Sequence, residues 1–475
     1  MNNLYTILIS FIYIGAVILI ATVLSKFSES PKEMTRKFIH IMVGNWVFLY
    51  PFYTELWALL FVPIAFVIIN TISLKYALIE AMERDEADGF GTVYYAITLV
   101  ILSYMSFTLK QPLLLYVGTL IMTYGDGLAA IMGQKYGKGK SWSKNTHKSI
   151  AGSTTVFLVA LIITISSLQY FTEITIFKSA LIALLTGILA VFVEAEGEKG
   201  LDNLTLPIST SLFVYISTLN FDLSYGLVVG GLVLILLFAY LKSSITKGGI
   251  IAALILGLMI YQLSGWSLLL NLVCFFILGS VVSKVKNEHK VHAESLQEHT
   301  GARTVSQVFA NALPQASIVL MVHLLDLDPK LHLLAFAMFA TAFSDTFASE
   351  IGMLSKGKVV SITTFKPMSP GVSGGVSVIG CIAGVVGSLI SSLFAYGEFG
   401  IQGMILVMLL GTFGMIVDSY LGVLIQKKYM STAGQVLDRN ADHHTLISGF
   451  KTIDNNMVNF LSLCITMLIG ILWII

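Results

Sequence analysis

Asp126 stands between Gly125 and Gly127 inside an otherwise apolar run, Tyr124-Gly-Asp126-Gly-Leu-Ala-Ala-Ile-Met-Gly133. A carboxylate in such a run is costly, so it marks a functional position by default. The chain continues as Gly133-Gln-Lys135-Tyr-Gly137-Lys138, and then Lys148-Ser-Ile-Ala-Gly152-Ser opens a new apolar run. Glycines let the backbone approach a ligand closely. Helix N-termini and free N–H groups cradle phosphate, and lysines neutralise it. On this reading Gly125, Gly127, Gly133, Lys135, Gly137, Lys138 and Gly152 surround phosphate, Lys148 helps to neutralise it, and Asp126 anchors Mg²⁺. That ion favours one or two carboxylates plus phosphate oxygens. The competing reading makes Asp126 the partner of a loop lysine and the remaining lysines headgroup anchors.

Other polar residues gather near the same end of the apolar runs. Arg36 and His40 are one helical turn apart and suit a phosphate or a hydroxyl. Glu194 opens an acidic run that leads to Asp202-Asn203, and it is a candidate metal ligand beside a phosphate-facing pair. A second set follows later in the chain. Arg303, Gln307 and Asn311 are spaced by four and share one helix face, and a polar stripe on a membrane helix faces protein or water. Asp345 and Glu350 occur in Phe343-Ser-Asp345-Thr-Phe-Ala-Ser-Glu350-Ile-Gly352, and Asp418 lies between Gly414 and Gly422 at the same spacing of four. These three are candidate metal ligands. Lys356, Lys366 and Ser373-Gly374-Gly375 would hold phosphate, as would Asp454-Asn455-Asn456 and Asn459.

The elements that must position these residues are membrane helices. Of the 475 residues 56% are hydrophobic and 12% charged, against about 25% charged in a soluble chain. A spanning helix needs roughly 20 apolar residues. About 16 such segments are legible, including ones centred near residues 46, 122 and 210, which predicts an all-α, polytopic helical bundle. If successive loops alternate sides with both termini outside, all but three of the 28 Lys and Arg (Lys110, Lys178 and Lys330) fall inside. The positive-inside rule expects that asymmetry. The candidate residues then face the cytoplasm. Cys274, Cys381 and Cys464 all lie in apolar runs and read as packing residues. A net charge of +1 gives no reason to expect nucleic acid.

Eight segments precede residue 220 and eight follow it. An even number gives both halves one orientation, so the expectation is two parallel eight-helix repeats, residues 1–220 and 221–475. Each half carries an Asp near the end of its fifth helix, a glycine cluster opening its sixth, and an Asp-Asn opening its eighth. Walker A, kinase catalytic-loop and Rossmann patterns are absent.

These motifs carry a resemblance. Residues 31–215 resemble the CTP-dependent polyprenol kinases, the phytol and dolichol kinase group, through Arg36-Lys37-Phe-Ile-His40, the Gly125-to-Lys138 stretch, Lys148-Ser-Ile-Ala-Gly152-Ser and Asp202-Asn203-Leu-Thr-Leu-Pro207. Residues 225–475 are similar to the phytyl-phosphate kinase family. The match there runs through Gly301-Ala-Arg303-Thr-Val-Ser-Gln307, Ser344-Asp345-Thr-Phe-Ala-Ser-Glu350, Pro370-Gly371-Val-Ser-Gly374-Gly375, Asp418-Ser-Tyr-Leu-Gly422 and Asp454-Asn455-Asn456-Met-Val-Asn459. The resemblance implies a fusion of two consecutive kinases. The first would phosphorylate an isoprenoid alcohol such as phytol or geranylgeraniol, and the second would convert that monophosphate to the diphosphate. It implies CTP or another nucleoside triphosphate as donor, Mg²⁺ as cofactor, and Asp126, Asp345, Arg36, His40, Lys148, Arg303 and Lys366 as the catalytic set. A homodimer is compatible with it.

Two alternatives compete. A CDP-lipid synthase would use the same nucleotide site, but the cytidylyltransferase C-terminal signature is absent. A lipid or small-molecule transporter also has many helices and intramembrane carboxylates. Transporters keep their site near the midplane, whereas these polar residues cluster at helix ends.

Overall fold

The computed structural model describes residues 2–27, 32–76, 90–137, 148–196, 200–219, 223–297, 301–354, 357–431, 434–439 and 445–474. Lys138 and Lys356 lie outside the described residues. The chain divides into two compact units, Met1–Phe221 and Asp222–Ile475.

The first unit is helical throughout. Its elements are α1 (Asn3–Phe27), α2 (Lys32–Gly44), α3 (Leu56–Tyr76), α4 (Gly91–Thr108), α5 (Pro112–Leu120), α6 (Gly127–Tyr136), α7 (Ile150–Phe171), α8 (Ile176–Glu196) and α9 (Asp202–Leu219). A 3₁₀ segment, Asn45–Phe52, extends α2, and a π-helical turn, Ile121–Asp126, joins α5 to α6. α5 sits at the centre, with Leu113, Leu114, Leu115 and Val117 all buried. It packs against α4, α7 and α9. Proline at its first position sets the helix start, where no N–H is needed.

The second unit contains α10 (Leu223–Leu241), α11 (Lys247–Ser264), α12 (Trp266–Lys284), a short α13 (Glu288–Glu294), α14 (Val305–Leu324), α15 (His332–Gly352), α16 (Val378–Ser392), α17 (Tyr396–Leu424) and α18 (Asn455–Ile474). Every residue of α15 from Leu333 to Ser344 is buried, so this helix is the core of the unit, ringed by α12, α14, α16, α17 and α18. A helix hydrophobic on all sides belongs at such a centre. Its burial weakens only near Asp345. Two small sheets decorate the same end, which the all-helical expectation did not include. Strand β1 (Val360–Ser361) pairs antiparallel with β2 (Gly375–Val376), and β3 (Lys428–Met430) lies between β4 (Val436–Leu437) and β5 (Thr445–Ser448).

The polytopic all-α architecture is therefore as expected, although fewer segments meet the test for spanning. Thirteen segments of the described residues are long and apolar enough to cross a membrane. One of them, Val378–Leu424, holds both α16 and α17. The segments read near residues 46 and 210 are not among the thirteen. The first is a 13-residue helix carrying Arg36 and Lys37 that continues as 3₁₀. The second, α9, spends its length on Asp202, Asn203 and several Ser and Thr residues.

Candidate active site

In the first unit the site is assembled by α2 closing on the π turn. Gly127 faces Ile41 so tightly that a Cβ there would lie 2.5 Å from the Ile41 side chain, and Gly44 likewise accepts Thr123. π turns are rare and cluster at functional sites. This one ends at Asp126. The close approach brings Lys37 Nζ to 2.6 Å from Asp126 Oδ2 and His40 Nε2 to 3.7 Å from the same oxygen. His40 packs against Tyr95 with the rings tilted and their centroids 4.7 Å apart, and the Tyr95 hydroxyl donates to the His40 carbonyl at 3.3 Å.

A second ionic group adjoins the first. Lys148 Nζ lies 2.5 Å from Glu194 Oε1 and 3.5 Å from Asp202 Oδ2. Burial works against the Lys148 charge, but Glu194 and Asp202 outweigh it and hold its pKa above the usual lysine value. The Asp126 carboxylate is within electrostatic reach of Lys148, Glu194 and Asp202. Glu194 is buried and its Oε2 has no hydrogen-bond partner. Asp202 accepts the Asn203 N–H at 3.1 Å and opens α9, a favourable place for an acid.

The glycines predicted to cradle phosphate have a packing role here. Cβ atoms at Gly133 and Gly137 would meet Ser149 at 2.9 and 2.7 Å, and one at Gly152 would meet the Ala129 carbonyl at 3.2 Å. They let α6 cross α7 closely. Ser149 caps α7 by accepting the Gly152 N–H at 3.1 Å, and this fixes Lys148 immediately ahead of the cap. Gly125 has room for a Cβ. Lys135 is exposed, over the Tyr136 ring at 5.4 Å.

A cavity leads away from this cluster between α1, α2, α3 and α4. Arg36, Lys37, His40 and Asp126 line it at the polar end, and Trp46, Val62, Phe66 and Leu99 line its apolar walls. Its largely apolar lining and its few convergent polar groups suit a mostly apolar ligand with one polar end.

In the second unit, Asp345 of α15 and Asp418 of α17 face each other within interaction range, and Asp418 also faces Ser462 of α18. Two carboxyl groups in contact must share a proton or a cation. The three helices meet through small residues one turn away. A Cβ on Gly414 would overlap Thr341 and Thr466, whose hydroxyls lie 3.2 Å apart. Asp418 Oδ2 has no hydrogen-bond partner, nor does Asn459 Oδ1 of α18. Glu350 is engaged by Lys290 Nζ and the Ser283 hydroxyl, each at 2.7 Å. Lys290 is fully buried and also donates to the Val282 and Ser283 carbonyls.

The predicted stripe on α14 divides into separate roles. Gln307 completes a capping box with Thr304, and the Asn311 side chain donates to the Gln307 carbonyl at 2.9 Å. Arg303 lies over the Phe275 and Phe276 rings, 4.9 and 5.5 Å from their centroids. The glycine cluster expected to open the sixth helix does not do so. Gly371 and Gly374 have φ of +90° and +84°, outside the helical range. The Ser373 N–H and hydroxyl both go to Asp438, and Gly375 lies in β2. Ser377 caps α16 instead, accepting from the Gly380 N–H at 3.1 Å. Lys366 is exposed in the loop between β1 and β2, and no ion pair among the described residues joins it to Asp345. Asp454 caps α18 through the Met457 N–H, Asn455 is its first residue, and Asn456 donates to the Ser306 hydroxyl at 3.0 Å.

Sequence reasoning on single motifs undervalued Lys37 and Lys290, which resemble ordinary flanking lysines. The i, i+3 spacing of Lys37 and His40 was the available signal for the first. Among the described residues no group of three His, Cys, Asp or Glu side chains converges as a complete metal site.

Residues 231–467 match the family model described as "Integral membrane protein DUF92". A phytol kinase of Synechocystis sp. is 31% identical over 208 residues, covering 43% of this chain and 87% of the relative. An uncharacterised membrane protein of Methanocaldococcus jannaschii is 34% identical over 209 residues, 42% of this chain and 84% of the relative. Phytol kinase 1 of Arabidopsis thaliana, a chloroplast protein, is 27% identical over 216 residues, 41% of this chain and 69% of the relative. No solved structure matches the chain. The chain belongs to the phytol kinase-like family of integral membrane proteins.

Proposed function

We propose that this protein is a membrane-embedded isoprenoid-alcohol kinase. Its first unit phosphorylates phytol, geranylgeraniol or a similar alcohol, and its second phosphorylates the resulting monophosphate to the diphosphate. The observation that carries the reading is the cavity of the first unit, apolar along its length and closed by Arg36, Lys37, His40 and Asp126 at one end. A prenyl chain would fill the apolar part and leave its hydroxyl beside Asp126 and His40. The kinase relatives support the same chemistry.

Phosphoryl transfer needs positioning and charge neutralisation more than covalent help. In this reading Lys37, Arg36 and Lys148 neutralise the transferring group, which passes from a nucleoside triphosphate, CTP in our proposal, to the alcohol oxygen. Nucleoside diphosphate leaves, and the hydroxyl proton passes to a basic group at the site, for which Asp126 and His40 are in place. The donor sets fit Mg²⁺ as an ion shared with nucleotide phosphates. Asp126 with the unpartnered Glu194 oxygen would offer it carboxylates in the first unit, and the Asp345–Asp418 pair would do so in the second. When bound, the ion would screen the phosphate charge. The basic loops support a cytoplasmic location for this chemistry.

The test is a product assay by mass spectrometry on purified protein with CTP, Mg²⁺ and phytol or geranylgeraniol. Monophosphate followed by diphosphate, with CDP released, is the predicted result. A CDP-linked lipid would assign the protein to cytidylyl transfer. Absence of any nucleotide-dependent product would refute the kinase reading.

A further inference from the structure

The backbone of Arg303 is held rigidly. Its N–H donates to the Ser244 carbonyl and its own carbonyl accepts the Thr246 N–H, both at 3.0 Å. The next residue, Thr304, caps α14. From this anchor the side chain lies along α12. Its guanidinium lies over Phe275 and Phe276 and against Gly279, where even a methyl group would collide with it. Gly279 precedes the end of α12 at Lys284 by five residues, or about 7.5 Å of helix rise. The charge therefore sits within the helical layer and not at its edge.

A guanidinium carries five N–H donors and stays charged at every relevant pH. At this depth an arginine is normally paired with an acid or a carbonyl. Among the described residues the Arg303 side chain makes no ion pair and donates no hydrogen bond. Glu350 acts on it only at longer range, and Glu350 is already held by Lys290 and Ser283. The Ser280 hydroxyl, next along α12, also lacks a partner. The seam between α12 and α15 connects this position to the carboxylate pair. Thr346 lies against Gly279, 3.6 Å from where its Cβ would be, and Asp345 is the preceding residue.

The first unit differs on this point. Its cations, buried Lys37 and half-buried Lys148, are both neutralised by carboxylates, as suits a site whose acceptor is an uncharged alcohol. We infer that Arg303 receives the phosphate of a lipid monophosphate, gripping two of its oxygens with the planar fork of the guanidinium while the apolar chain runs along the aromatic wall. This rests on the two-step reading above, and it names the residue that makes the second unit selective for a phosphorylated acceptor. A nucleotide triphosphate offers the same phosphate chemistry. The lipid is favoured because Phe275 and Phe276 flank the cation.

The experiment measures binding of geranylgeranyl monophosphate and of CTP, separately, to the full-length protein in detergent micelles, for wild type, Arg303→Gln and Arg303→Lys. Loss of a charge-assisted pair predicts roughly 10- to 100-fold weaker binding of the lipid monophosphate to Arg303→Gln, with CTP affinity within about twofold of wild type. Arg303→Lys keeps the charge but not the bidentate grip, so an intermediate loss is predicted. That variant carries the test should Arg303→Gln fail to fold. Loss of CTP binding with lipid monophosphate binding intact would overturn the inference, as would unchanged affinities in both variants. The two-step reading fails on a different result, namely wild-type protein that binds the monophosphate and does not convert it.

Discussion

Lys37 and Asp126, 89 residues apart in the chain, meet at 2.6 Å because two glycines let α2 lie directly on the π turn. Lys37 is buried and Asp126 nearly so, and the pair lines the polar end of an apolar cavity. A buried pair of this kind adds little stability by itself, but removing one partner strands the other. Its position at the head of a largely apolar cavity is what gives it chemical meaning.

The glycine contacts that create this meeting are testable by crowding. Gly127→Ala would place a Cβ 2.5 Å from Ile41, and overpacking of this kind costs about 1–3 kcal/mol. The expected outcome is a lower unfolding temperature together with reduced phosphorylation of the alcohol. The double variant Gly127→Ala/Ile41→Ala restores most of both, because the added methyl then has room. Failure of the second change to rescue the first would show that α2 is not held in this way.

Lys148 neutralises two acids, one of them buried Glu194. Lys148→Ala is expected to cost roughly 1–3 kcal/mol, the penalty for leaving a buried polar group unpaired, measured by thermal unfolding in detergent. Adding Glu194→Gln recovers part of the loss. The sign of the pH dependence follows from the upward shift of the lysine. Its contribution is fully present below the ordinary lysine value of 10.5 and fades only as pH rises through the higher folded-state value. The stability gap between wild type and Lys148→Ala should therefore be constant from neutral pH to pH 9 or so, about a unit below that threshold.

Asp345 and Asp418 are predicted to share a divalent cation. Mn²⁺ titration followed by electron paramagnetic resonance, with the second unit's site intact, should show a bound ion that Asp345→Asn and Asp418→Asn each remove. Removal of divalent ions by a chelator should halt conversion of the monophosphate. Equal Mn²⁺ binding by wild type and both variants would mean that the pair is held together by a proton instead.

Much of this site was readable from residue type and spacing. Asp126 and Asp345 stood out because a carboxylate in an apolar run has few structural excuses, and the structure gives each a charged or carboxyl partner on another helix. Lys148 before Ser149 was legible as a helix start for the same reason that Ser149 caps α7. The π turn was not legible, because one shifted hydrogen-bond pattern leaves no periodic trace in six residues. Glycine roles were also ambiguous. Gly133 and Gly152 looked like a phosphate cradle and serve as contact points between helices, because close approach to a ligand and close approach to a neighbour call for the same missing side chain. The loop around Gly371 and Gly374 was read as a helix start, whereas their positive φ values bend the chain into a hairpin and α16 begins later, after Ser377. Lys290 counts in the sequence only as one of the basic residues on the inner side, and only the fold reveals it buried against Glu350.

The most direct test separates the two steps in one protein. Asp126→Asn and Asp345→Asn are each supplied with CTP, Mg²⁺ and either geranylgeraniol or geranylgeranyl monophosphate, and products are read by mass spectrometry. The account predicts that Asp126→Asn loses alcohol phosphorylation by roughly 100-fold or more, the scale of losing a group that acts on the transferring phosphoryl, while still converting supplied monophosphate to diphosphate. Asp345→Asn should make monophosphate and stop there. If either change abolishes both steps, or neither alters any step, the assignment of one reaction to each unit is contradicted.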